Sequence, residues 1–310
     1  GEITTGVLIG VSILGSRTIV PLAQWAGMFS RLQQARIAYT ALNELMRRPV
    51  DQEETMLHRP ALYGSYSLKN VRFLYDEENG RPSLEIPGLE IKAGDRVAVL
   101  GRMGSGKSTL LHLLAGLIRP SEGVVLLDGT RLGQIDPADL RRDLGYLSQG
   151  AHLFYGTLRE NLVMGRPLAT DQEMLDALRL SGALPLVQAE GQGLDYMIRE
   201  GGLGLSGGQR QALLLARTIL LEPRILLLDE PTTALDELSE AQVVREMEPW
   251  LRGRTLLVAT HRPALLQWLD SILVLNQGKV VMAGPKADIL ARLNRSDGPG
   301  PAIVRSGRAV

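Results

Sequence analysis

Residues Gly101 to Thr109 read Gly-Arg-Met-Gly-Ser-Gly-Lys-Ser-Thr and fit the pattern GxxxxGK[ST]. No other stretch constrains the chain as much. Ahead of it lies Arg96-Val-Ala-Val-Leu100, a short apolar run rich in β-branched residues, which predicts a buried strand. Behind it, Leu110 to Leu117 predicts a helix. Strand, glycine-rich turn and helix in that order make an anion cradle. Gly101, Gly104 and Gly106 let the backbone turn tightly and aim successive N–H groups inward. The helix N-terminus adds a partial positive charge at the same place. Arg102, Met103 and Ser105 complete the loop. Lys107 is spaced to reach the β- and γ-phosphates of a nucleotide, Ser108 to ligate Mg²⁺, and Thr109 to bond a phosphate further in.

With 310 residues and 45% apolar content there is room for one large or two ordinary domains with a sizeable core. The formal net charge is zero, so no global field favours nucleic acid. There are no cysteines, which excludes a disulfide framework, a thiol nucleophile and a thiolate metal site. Four scattered histidines form no metal-binding pattern. The sequence opens without Met or a signal-peptide pattern, and we expect a fragment.

Residues 3 to 29 are the most hydrophobic stretch. From Val7 to Phe29 only Ser12, Ser16, Arg17, Thr18 and Gln24 are clearly polar. As a helix this run extends roughly 35 Å, enough to cross a bilayer, although Arg17 is costly in lipid. The alternative is a long buried helix of a soluble domain. The helical pattern continues to Arg48, with Arg31, Arg36, Arg47 and Arg48 against the single acid Glu44, which puts the C-terminal side in the cytoplasm. Pro49 ends it, and Asp51-Gln-Glu-Glu54 opens a polar linker over 51–62. From Gly64 the pattern changes to strands, Ser67 to Tyr75 and Leu84 to Ile91, around a turn at Asp76 to Gly80. Residues 294–310, rich in Gly, Pro, Ser and Arg, predict a disordered tail.

Several candidates stand at strand ends, where ligands collect in open α/β sheets. Ile225-Leu-Leu-Leu-Asp229-Glu230 reads as a buried parallel strand ending in two acids. Asp229 suits Mg²⁺, and Glu230 suits polarising an attacking water. Thr255 to Ala259 delivers His261, placed to bond a γ-phosphate or orient Glu230. Leu144 to Gln149 ends in an amide that is either a surface group or a sensor of Mg²⁺ or the attacking water. Tyr75 is either packing or an adenine stack. Thr232 to Asp236 is a turn carrying Asp236. Leu205-Ser206-Gly207-Gly208-Gln209 opens the helix Arg210 to Leu220. It is either a serine cap or a second anion surface, of use where two chains face head to tail.

Together these residues resemble the nucleotide-binding half of an ABC transporter over roughly Tyr63 to Leu293. The resemblance makes 101–109 the Walker A loop, Gln149 the Q-loop, 205–209 the LSGGQ signature, 225–230 Walker B with its glutamate, Asp236 the D-loop and His261 the H-loop. Tyr75 then fits the family's adenine-stacking aromatic. The implied fold is an α/β P-loop NTPase of the ABC type, with a mostly parallel core sheet, an antiparallel β subdomain and a helical subdomain, over 63–293. The implied cofactors are ATP and Mg²⁺. Residues 1–50 resemble the last transmembrane helix of a type I exporter and its cytoplasmic extension. Arg17 to Gln24, Gln134 to Arg141 and Leu153 to Asn161 resemble bacterial type I secretion ATPases of RTX-type proteins. Gly150 departs from relatives that carry an acid there.

The resemblance implies a bacterial inner-membrane location with the ATPase domain in the cytoplasm. It implies four kinds of partner: a second nucleotide-binding domain, an identical chain among the options; the remaining membrane helices; a periplasmic adaptor; and an outer-membrane channel. The expected chemistry is ATP hydrolysis, each nucleotide held between one chain's Lys107 loop and the other's Ser206, Gly207, Gly208 and Gln209. Exporters of lipid, drug or peptide, non-transport ABC ATPases, and P-loop kinases or GTPases are the competing readings.

Overall fold

The structure is a computed structural model and describes residues 4–48, 56–75, 82–189 and 191–294. The expected turn at 76–80, the start of the linker and the tail from 295 lie outside them. The chain divides into two compact units, Gly1–Glu53 and Glu54–Val310.

The first unit is a single helix, α1 (Thr5–Met46), of 42 residues. At 1.5 Å per residue it extends about 63 Å. Pro21 sits inside it without ending it. Its described side chains are exposed, apart from half-buried Gly10 and Asn43. Ser16 and Thr18 donate their hydroxyl protons to the carbonyls of Ser12 and Leu14. The expectation of a spanning helix over 3–29 needs correction on one point. Among the described residues no helix is long and apolar enough to cross a membrane. Four glycines, two serines, Thr18, Gln24 and Arg17 dilute the apolar side chains of this stretch.

The second unit is built on a ten-stranded sheet. Its strands are β1 (Tyr66–Phe73), β2 (Leu84–Ile91), β3 (Arg96–Leu100), β4 (Glu122–Leu127), β5 (Thr130–Arg131) and β6 (Leu144–Leu147). After a separate small hairpin of β7 (Gly156–Thr157) and β8 (Met197–Ile198) come β9 (Ile225–Asp229), β10 (Thr255–Ala259), β11 (Ser271–Asn276) and β12 (Lys279–Pro285). The helices are α2 (Lys107–Leu114), α3 (Pro137–Asp143), α4 (Leu158–Val163), α5 (Asp171–Leu180), α6 (Leu184–Ala189), α7 (Gly207–Leu220), α8 (Glu237–Trp250) and α9 (Lys286–Asn294). The order across the sheet is β5-β4-β1-β2-β12-β11-β3-β10-β9-β6. The run β11-β3-β10-β9-β6 is parallel, and β1 pairs antiparallel with both β2 and β4. The expected parallel core and antiparallel part are therefore edges of one sheet, joined where Lys279 pairs with Glu85.

The parallel strands are apolar on both faces because both faces are covered. In β9, Leu226 and Leu228 point into one hydrophobic cluster, and Ile225 and Leu227 into the other. In β10 the same division separates Leu256 and Val258 from Leu257 and Ala259. Helices α4 to α6 form the helical segment, with α4 and α5 held at their starts by capping boxes at Thr157–Glu160 and Thr170–Glu173.

Residues 56–62, expected as linker, fall in the second unit. Their backbone is held by acids of α3. The N–H of Arg59 donates to Asp139 at 2.8 Å, and that of Leu62 to Asp143 at 2.8 Å. Leu57 bridges to Ile135, and Leu62 is fully buried. Asp128 then accepts from the N–H groups of Tyr63 (2.6 Å), Gly64 (3.3 Å) and Ser65 (2.8 Å) and from the Ser65 hydroxyl (2.9 Å). Burial pushes the Asp128 carboxyl up, but these donors outweigh it and hold the group below its ordinary value. A folded value below the unfolded one means that the contribution is complete above the unfolded value and is lost as pH falls through the folded one. Asp128→Asn should cost about 1 kcal/mol in urea unfolding at neutral pH. The difference from wild type should close below about pH 4; a gap that is constant with pH would refute the account.

Candidate functional site

Strands β3, β9 and β10 run parallel and neighbour one another, so their C-terminal ends share one edge. The polar residues that follow them are thereby gathered. After β3, the loop 101–106 turns into α2 through Gly106, whose φ of 99° is open to glycine and strained for other residues. A Cβ on Gly101 would collide with the Leu275 carbonyl and the Ser105 hydroxyl. The Lys107 ammonium donates to the loop's own carbonyls, Gly101 at 2.9 Å and Arg102 at 3.2 Å. Ser105 Oγ is buried without a hydrogen-bond partner. Met103 is fully exposed. A groove of about 960 Å³ runs past Gly104, Gly106, Lys107, Ser108 and Thr109 to Tyr75 and the β11–β12 turn. Tyr75 stands at its rim, 64% exposed, with its hydroxyl 3.4 Å from Thr109 Oγ1 and its ring edge-on to Phe73.

After β9 come the two acids. Asp229 is buried, and burial pushes its carboxyl up; the Ser108 hydroxyl donates to it and offsets part of this. Glu230 turns the chain with φ of 52°, a left-handed conformation uncommon outside glycine. Its N–H donates to the Ala259 carbonyl at 2.8 Å, which ties it to the end of β10. One carboxylate oxygen lies 2.9 Å from His261 Nδ1, and the other accepts from the Thr233 hydroxyl at 3.1 Å. His261 is exposed, whereas the Glu230 side chain is 13% exposed. Gln149 is exposed and shares a second groove of about 350 Å³ with Glu230, Thr233, Gly207 and Gln211.

Lys107, Ser108, Asp229, Glu230 and His261 are thus brought together, with Gln149 beside them. Ser206 to Gln209 are placed differently. Ser206 caps α7: its Oγ accepts from the Gln209 N–H at 3.1 Å, and Gln209 Oε1 accepts from the Ser206 N–H at 2.8 Å. Among the described residues, no hydrogen bond joins 206–209 to 101–109. Asp236 caps α8, accepting from the Ser239 N–H (2.9 Å) and hydroxyl (2.8 Å); the Ser239 N–H first of all holds its carboxyl below the ordinary value.

The donor set fits a nucleotide with Mg²⁺. Oxygen ligands from Ser108 and Asp229 suit a hard cation that keeps phosphate and water in its remaining positions. No group of three or more His, Cys, Asp or Glu among the described residues could hold a metal by itself. Ser105 Oγ is a buried hydroxyl short of a partner inside the cradle.

Three features escaped the sequence reading. Tyr146 Oη is buried without a partner; burial first, and Asp229 second, push the phenol up, and His112 packs edge-on to its ring at 5.7 Å. Arg262 donates to the Thr233 carbonyl at 2.9 Å and braces the turn before Asp236. Gln211 bridges Glu230 and Ala234. The signals were faint: an aromatic three residues before Gln149, an Arg beside His261, and a second Gln two residues past the Ser-Gly-Gly-Gln run.

The sequence pattern of the family described as ABC transporter matches residues 84–233. The chain is 34% identical over 294 residues to "Leukotoxin translocation ATP-binding protein LktB" of Mannheimia glucosida, over 95% of this chain and 41% of that protein. The homologues of that name from Mannheimia haemolytica and Bibersteinia trehalosi match to the same extent. Among solved structures, one described as "a bacterial Atm1-family ABC exporter with ATP bound" superposes with a TM-score of 0.81 at 31% identity. That match covers 96% of this chain and 52% of the other. The chain spans less than half the length of the curated relatives it matches.

Lys107→Ala should lower ATP turnover by about 100-fold or more, since a charge placed at the transferred phosphate acts most strongly as charge develops. A phosphate-release assay that finds wild-type turnover in this variant would refute the cradle assignment.

Proposed function

The chain belongs to the ABC transporter family, and from that premise we propose that it is the ATP-hydrolysing part of a bacterial exporter, working as a head-to-tail pair. One observation carries the reading. The phosphate loop, Asp229, Glu230 and His261 converge at one sheet edge, whereas Ser206 to Gln209 make no hydrogen bond to that loop within their own chain. A half-site and an unused second anion surface are complementary when two chains face each other.

In this reading the N–H groups of 104–109 cradle the phosphates and Lys107 moves from its own loop carbonyls to the phosphate oxygens. Ser108 and Asp229 would hold Mg²⁺, which would supply positive charge against the phosphate oxygens. Tyr75 stacks on the adenine. Glu230, oriented by His261 at 2.9 Å and by Thr233, accepts a hydrogen bond from water and turns its lone pair to the γ-phosphate. The conformation of Glu230 is held before any ligand arrives, so little reorganisation remains at the chemical step. Ser206, Gly207 and Gly208 of the other chain close the site, with Asp236 beside the junction. Gln149 and the helical segment pass opening and closing to the membrane part.

The cargo reading is type I protein secretion, supported by the match to leukotoxin translocation proteins along 95% of the chain. That match and the exporter structure at 96% coverage reach well into α1. This supports α1 as the last membrane-domain helix and its basic extension into the cytoplasm, with 63–293 as the ATPase domain. A helix rich in glycine and serine suits packing among neighbouring helices better than packing in lipid alone. The remaining partners are the other membrane helices, a periplasmic adaptor and an outer-membrane channel, at the bacterial inner membrane.

Glu230→Gln should bind ATP without cleaving it and double its mass in light scattering when ATP and Mg²⁺ are added. A variant that stays monomeric at saturating ATP while hydrolysing normally would refute the paired site.

A further inference from the structure

The Gln211 carboxamide sits one turn into α7, half-buried, between two backbone groups. Its Nε2 donates to the Glu230 carbonyl at 2.5 Å. Its Oε1 accepts from the Ala234 N–H at 2.6 Å. The orientation of the amide is fixed by chemistry: a carbonyl only accepts and a peptide N–H only donates. Glu230 needs such a restraint. Its φ of 52° is a sparsely populated conformation for a residue with a side chain and persists only where its surroundings over-determine it. The Ala259 carbonyl holds its N–H, and Gln211 holds its C=O. A second observation places the same helix end against the same turn. A Cβ on Gly208 would lie 3.0 Å from the Ala234 carbonyl, and one on Gly207 3.4 Å from Ala234 Cβ. The start of α7 is therefore seated on the turn after Glu230 without slack.

We propose that Gln211 is a positioning residue that ties the first turn of α7 to the backbone of Glu230. The inference rests on the reading that Glu230 directs water at ATP. In a head-to-tail pair it has a specific consequence. There Ser206, which caps α7, would face the other chain's nucleotide, while Glu230 would serve its own. In that pair a movement of α7 caused at one nucleotide would reach the Glu230 of the other site through the Gln211 amide and the Gly208–Ala234 contact. Gln211 touches neither nucleotide nor water; it acts through Glu230.

The test compares wild type, Gln211→Ala and Gln211→Glu in the full chain. Gln211→Ala should lower kcat by about tenfold or more and leave the KM for ATP within about twofold, because transition-state positioning is lost while ground-state binding is kept. Without nucleotide, hydrogen exchange read by mass spectrometry should speed up over the segment 230–236, since the Ala234 N–H loses its acceptor. Gln211→Glu keeps the shape. Its carboxylate cannot donate to the Glu230 carbonyl, whereas its protonated acid offers one donor and one acceptor like the amide. Its kcat as a fraction of wild type should therefore rise as pH is lowered from about 8 to about 6, since the half-buried acid facing the Glu230 carbonyl favours its protonated form. Glu230, His261 and Arg262 face this position in both proteins, so the ratio is compared with wild type over the same pH range. A role in folding alone would lower thermal stability in both variants with no such pH dependence. If wild type hydrolyses ATP while Gln211→Ala keeps its kcat and the Gln211→Glu ratio is flat, the proposal is overturned. Should Gln211→Ala fail to fold, Gln211→Glu decides. A wild type with no ATP hydrolysis would instead overturn the functional reading, and the role of Gln211 with it.

Discussion

The whole site depends on strands that have no polar face. Every residue of β9 and β10 is buried, because helices cover both sides of the sheet. Such strands can carry chemistry only where they stop. Parallel pairing then aligns the stops of β3, β9 and β10, and three loops far apart in sequence present Lys107, Asp229, Glu230 and His261 along one edge. The left-handed Glu230 follows from the same constraint. The chain must leave a fully covered layer within one residue, and the Ala259 carbonyl is there to receive its N–H.

Much of this edge was legible in the sequence, for physical reasons. Binding a phosphate chain needs small residues, a cation and a hydroxyl at fixed offsets, so Gly101 to Thr109 can be read in one dimension. An apolar run closed by two acids, Ile225 to Glu230, is legible for the same reason. Gln211 was not, because its role exists only once α7 approaches the turn at Ala234. Tyr146 was hidden too, since nothing in its neighbours along the chain reveals that Asp229 lies across from it.

Two stretches at the N-terminal end were less legible. Residues 3–29 look continuous because charges are scarce, but scarcity of charge is not hydropathy, and the glycines and hydroxyls weigh against it. Residues 56–62 look like a polar tether. Their backbone N–H groups are in fact gripped by Asp139 and Asp143, and Leu62 is inserted into the core. Composition reports side chains, whereas this attachment is made by the main chain.

The folded-back ammonium of Lys107 bears on ligand choice. Because Gly101 and Arg102 already take two of its three N–H donors, an arriving molecule gains mainly the surplus over two peptide oxygens. Dense anionic charge supplies that surplus and a lone carboxylate or a neutral nucleoside does not. If the loop binds a nucleotide as proposed, a preference for dense anionic charge is set in the resting loop, before any contact with a base.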